Sequence, residues 1–177
     1  LDGDLPTSLT SIDASGVTGE LTASIDGADG GFDFVGAEGG NVLTLDDLDD
    51  ADTAYNIDGG TAGADLVIDD ETNGNVDLSD STLSNVNSVE LSDAASLTLT
   101  IEQAATIGAE SFSLSEGAAD ADLMLEGLND EEFSLPAYDD SINVSITLAE
   151  EPVVTLNTAT DLTGLASLNV PEGTTLE

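Results

Sequence analysis

The chain has 177 residues, 38 of them Asp or Glu, with no Lys, Arg, His or Cys, so its formal charge at neutral pH is -38. Nucleic acid and anionic membrane surfaces need cationic side chains to neutralise phosphate, so both drop out as partners. The lack of Cys excludes disulfide scaffolds and thiolate metal sites. Apolar residues make up 40%, above the range of chains whose charge keeps them unfolded, and a single repetitive domain over residues 1–177 is expected.

Short β-type runs follow one another along the chain: Leu9 to Ile12, Leu21 to Ile25, Phe32 to Val35, Val42 to Leu45, Tyr55 to Ile57, Leu66 to Ile68 and Val76 to Leu78. Val86 to Leu91, Leu97 to Ile101, Phe112 to Leu114, Leu123 to Leu125, Phe133 to Leu135, Ile142 to Leu148, Val153 to Leu156 and Leu165 to Val170 continue the series. Most alternate apolar with Ser, Thr, Asn or Asp, as in Leu97-Thr98-Leu99-Thr100-Ile101, which gives one buried and one wet face. Gly30-Gly31, Gly39-Gly40-Asn41, Asp58-Gly59-Gly60 and Asn73-Gly74-Asn75 supply turn residues that tolerate positive φ. Only Glu102 to Ala109 has the composition of a helical turn.

Two all-β architectures satisfy this pattern. A β-sandwich takes about seven to nine strands, so this many would need two sandwiches and a boundary that composition does not show. A β-solenoid of the parallel β-helix or β-roll kind needs only a continuing period, and two strands per coil give about 22 residues per coil and about eight coils. The solenoid is the expected fold.

No internal cation can neutralise the carboxylates, which makes oxygen-seeking divalent cations the natural counter-charge. The acidic run Asp46, Asp47, Asp49, Asp50 and Asp52 is a solvated loop or a cation site. Further acids lie in the glycine-rich segments Gly27-Ala28-Asp29-Gly30-Gly31-Phe32-Asp33, Gly59-Gly60-Thr61-Ala62-Gly63-Ala64-Asp65 and Gly117-Ala118-Ala119-Asp120-Ala121-Asp122, and Asp58 directly precedes the second.

These three segments resemble the nonapeptide repeats of RTX proteins, in which turn carbonyls and an Asp bind calcium while the next apolar residue packs inside. The resemblance implies Ca²⁺ as cofactor, with Asp29, Asp33, Asp58, Asp65, Asp120 and Asp122 as ligands beside Asp46, Asp47, Asp49 and Asp50 of the acidic run. An Asp next to Gly also has a plain role as a turn former bonding its own backbone. Phrases such as Leu9-Thr10-Ser11-Ile12-Asp13 and Val86-Asn87-Ser88-Val89-Glu90 look like the β-repeat regions of bacterial surface-layer proteins and large secreted adhesins.

That likeness implies an extracellular or cell-surface structural protein, processed from a longer secreted chain, which assembles with copies of itself and takes cell-surface polysaccharide as a further partner. No membrane insertion is expected, because the apolar runs fall far short of the ~20 residues of a transmembrane helix. A calcium-rigidified adhesin stalk or ligand-binding module is the alternative. An enzyme is not expected: without His, Lys or Cys the usual bases and nucleophiles are missing, and carboxylate pairs occur in any acidic protein. Ice binding would need Thr rows repeated across coils, and Thr98 and Thr100 form one only locally.

Overall fold

The computed structural model describes residues 8–26, 30–46, 48, 53–69, 75–128, 137–148, 153–154, 165–170 and 175–176. The strands are β1 (Ser11–Asp13), β2 (Leu21–Asp26), β3 (Asp33–Val35), β4 (Asn41–Asp46), β5 (Asn56–Asp58), β6 (Ala64–Ile68), β7 (Asn75–Asp77) and β8 (Thr82–Ser84). They continue as β9 (Val86–Leu91), β10 (Ser96–Thr100), β11 (Phe112–Leu114), β12 (Ala121–Leu128), β13 (Ile142–Leu148), β14 (Val153–Val154), β15 (Ser167–Asn169) and β16 (Thr175–Leu176). Among the described residues one short α-helix, α1 (Ile101–Ile107), interrupts the series.

The chain is a β-solenoid of about five turns with strands repeating roughly 22 residues apart. This is fewer than the eight coils expected from length alone, and much of the C-terminal third lies outside the described residues. A first sheet runs β1-β3-β5-β8, a second β2-β4-β6-β9-β11 and a third β7-β10-β12-β13-β15, with β14 and β16 pairing separately. Every strand pair is parallel, which a sandwich of hairpins would not give. Two successive coils pass from the first sheet to the second and then the third: β5, β6 and β7, and after them β8, β9 and β10.

Alternation builds the core. Because every other side chain points inward and the register repeats each coil, like residues stack in columns. Ala23, Leu43, Leu66, Val89 and Phe112 form one column of the second sheet, and Ile25, Leu45, Ile68, Leu91 and Leu114 form the next. In the third sheet Val76, Leu97, Leu123 and Val144 line up. All but Leu114, which is partly buried against the core, are shielded from solvent.

The predicted strands recur within a residue or two, except that Leu123 to Leu125 is the core of a longer strand, Ala121–Leu128, and that Phe133 to Leu135 and the end of Val153 to Leu156 lie outside the described residues. Ile101 leaves the expected strand to open α1. Thr100 caps that helix: its hydroxyl accepts from the Gln103 N–H at 3.1 Å, and Gln103 Oε1 accepts from the Thr100 N–H at 2.7 Å, a reciprocal capping box. In chain order the helix takes the turn of the first-sheet strand that would follow β8, and it packs on β9, β10 and β12. Thr82-Leu83-Ser84, with one apolar residue, gave no strand signal, and the register supplies what propensity lacks: Leu83 stacks on Ile57.

Candidate functional site

The acids after the glycine-rich turns sit on the outer faces, where the coil repeat brings each of four to a neutral donor one coil later. Asp33, at the start of β3, accepts from Asn56 Nδ2 at 2.6 Å, and Asn56 is its register partner. Asp65 of β6 accepts from Ser88 Oγ at 2.7 Å, and Asp122 of β12 from Asn143 Nδ2 at 3.2 Å, again between register partners. Asp58 Oδ1, at the end of β5, accepts from Asn85 Nδ2 at 2.7 Å and from the Gly60 N–H at 3.0 Å. With no cation in the sequence, amides and hydroxyls hold these carboxylates across coils.

Asp46 closes β4 beside Asp26, its register partner on β2. Asp120 is exposed ahead of β12, and its carbonyl accepts from the Ala94 N–H at 2.9 Å. Asp29, Asp47, Asp49 and Asp50 lie outside the described residues. Among the described residues no three acids converge in a group that could hold a metal ion.

The glycine-rich turn after β5 has a different filling from the one its motif suggests. Asn41, at the start of β4, is 3% exposed. Its Nδ2 donates to the Gly59 carbonyl at 2.7 Å and to the Gly63 carbonyl at 3.0 Å, and its Oδ1 accepts from the Ala37 N–H at 2.7 Å. Two turn carbonyls that the repeat resemblance would offer to calcium thus already receive an asparagine amide. Gly-Gly-Asn at 39–41 reads in sequence as a flexible turn. Only Gly40 uses the positive φ, at 95°, while Asn41 is a strand residue whose amide is the coil-to-coil link.

Gly59 is glycine for a related reason. A Cβ there would lie 2.8 Å from the Gly63 carbonyl carbon and still closer to the Asn85 carbonyl oxygen and the Ala64 nitrogen. The coils approach too closely for a side chain. Sequence reasoning missed Asn41 and Asn85 because their partners lie about a coil away, and only the register reveals them.

Titration follows from these contacts. The Asn85 amide, and then the Gly60 N–H, hold the Asp58 carboxyl below its ordinary value of 3.8. The Ser15 hydroxyl does the same for exposed Asp13, helped by the Ser15 backbone N–H. Burial, followed by the charges of Asp77 and Asp80, pushes Glu126 above its ordinary 4.5. Tyr138, edge-on to Phe112 at 5.5 Å between ring centres, is pushed up to about 12 by burial.

A raised carboxyl penalises the folded state once ionised, so protonating Glu126 in weak acid removes a cost. Depressed carboxyls stabilise while ionised, so the contributions of Asp13 and Asp58 are lost as pH falls below 3.8 through their folded values. The urea midpoint is expected to rise from neutrality into weak acid and to fall again as the pH drops below 3.8. Glu126→Gln should flatten the rising limb. A midpoint that falls continuously from neutrality, with the variant matching the parent, would contradict this account.

No family model matches the chain, and neither a curated protein nor a solved structure matches it.

Proposed function

We propose that this protein is a structural, self-assembling extracellular subunit of a surface layer or filament, with calcium as the counter-ion that lets copies meet. The carrying observation is the pairing of carboxylates with neutral donors inside a solenoid. Asn56, Asn85, Ser88 and Asn143 satisfy acids across coils but cancel none of the -38 charge. Strands repeat every ~4.8 Å along such a stack, and two like charges at that spacing repel by a little under about 1 kcal/mol in water. Copies therefore stay apart until an external cation bridges them.

Calcium suits this role because it binds several carboxylate oxygens in flexible geometry. Its place in this reading is at the outward acids and between copies, since the turn at Gly59 and Gly63 is closed by Asn41. Solenoid ends present strand edges that can pair with a neighbour. The subunit would work at the cell surface, where millimolar calcium is present, with cell-surface polysaccharide as a possible anchor for the layer.

Light scattering during a calcium titration, with sodium chloride at matched ionic strength and EDTA added last, tests the reading. Calcium-specific growth in mass, reversed by EDTA, is expected. Calcium-dependent compaction at constant monomer mass would instead make the chain an adhesin stalk, and no calcium-specific response would remove the metal from the account.

A further inference from the structure

Among the described residues the first sheet ends at β8, while the second continues to β11 and the third to β10, β12, β13 and β15. In its earlier steps each strand is bonded by the next: the Asp33 N–H donates to the Thr10 carbonyl, the Asn56 N–H to Phe32 and the Thr82 N–H to Tyr55. The equivalent carbonyl one coil later, on Ser81, accepts instead from Gln103 Nε2 at 2.7 Å, which also reaches the Leu78 carbonyl at 2.7 Å. A side-chain amide thus makes the first bond that a fifth strand would make, and among the described residues no strand follows it.

The rest of that missing strand's position is a cleft of about 500 Å³. Thr82, Leu83 and Ser84 form one wall, and Glu102, Thr106 and Ile107 of α1 form the other. Thr82 and Ser84 turn their backbone groups to the preceding coil, as the bonds from the Thr82 N–H to the Tyr55 carbonyl and from the Gly59 N–H to the Ser84 carbonyl show. Strand alternation then aims the N–H and C=O of Leu83 into the cleft.

We propose that this cleft takes an extended, cation-bearing peptide segment of another protein, added parallel to β8 as the fifth strand of the first sheet. A strand edge specifies an extended occupant, because main-chain bonds supply the affinity. A cleft of about 500 Å³ suits a single strand of about three paired residues, roughly 10 Å long. Charge sets the sign. Glu102 faces the cleft on a chain of -38, and another copy could offer no cation of its own.

The test uses the full chain in EDTA, so that calcium-driven assembly cannot contribute. The probe is a peptide of about six residues, alternating threonine and valine with a lysine at each end, titrated into isotope-labelled protein. Saturable binding is expected, with amide shifts centred on Leu83, Asn85 and α1. N-methylation of alternate peptide nitrogens should weaken it at least about tenfold, the equivalent of about 1.4 kcal/mol. Leu83→Pro removes the N–H aimed at the cleft, a change edge strands tolerate, along with the Leu83 side chain that packs on the core, and Thr106→Trp fills the cleft from the exposed helix face; each should abolish binding in a protein that circular dichroism shows to be folded. Absence of saturable binding, equal binding of the N-methylated peptide, or preference for a peptide with glutamates in place of the lysines would overturn the proposal.

Discussion

Replacing Asn41 with Ala should destabilise the fold by about 3 kcal/mol, because it leaves the Ala37 N–H and the Gly59 and Gly63 carbonyls buried without the amide that joins them. Asn41→Asp should cost more at neutral pH despite its identical shape, since it sets a carboxylate against two carbonyl oxygens with no cation nearby. Protonation restores a donor, so this variant alone should regain much of its deficit in weak acid. Urea unfolding of both variants at neutral pH and at about pH 4 measures the difference. Equal losses for Ala and Asp at both pH values would show that the amide's hydrogen bonds do not carry the link between coils.

Gly59→Ala should cost about 3 kcal/mol, at the upper end of overpacking penalties, because its Cβ meets backbone atoms that cannot rotate away. Those atoms belong to the bond from the Ala64 N–H to the Asn85 carbonyl, 2.9 Å long, and the substitution also displaces the Gly59 carbonyl from Asn41. For a chain of this size the loss corresponds to a Tm lower by roughly 6 to 12 °C. Gly16→Ala and Gly19→Ala provide controls within the same molecule. A Cβ at either meets nothing within 4 Å, and both should stay within about 0.5 kcal/mol of the parent. Similar losses at all three positions would point to backbone entropy as the cause, not to the contact between coils.

These two positions mark the boundary of what could be read from residues in order. Gly39-Gly40-Asn41 and Asp58-Gly59-Gly60 announce chain reversals, and the reversals are there. Their further role, joining one coil to the next, depends on which residues the register sets side by side about 22 positions apart, and local composition does not single out those partners until the strands are paired. The same holds for the acids. Asp33, Asp58, Asp65 and Asp122 stand out as oxygen ligands beside glycine, whereas their donors Asn56, Asn85, Ser88 and Asn143 stand out as nothing in particular.

By itself the sequence determined the charge, the all-β class and the coil length, because side-chain alternation and turn residues act over two to ten positions and need no partner to be seen. The tertiary structure decided that the strands run parallel, that α1 replaces a strand after β8, and that an asparagine amide occupies the carbonyls of a glycine-rich turn. Each of those outcomes is a contact between coils, and its energy exists only once the register has brought distant residues together.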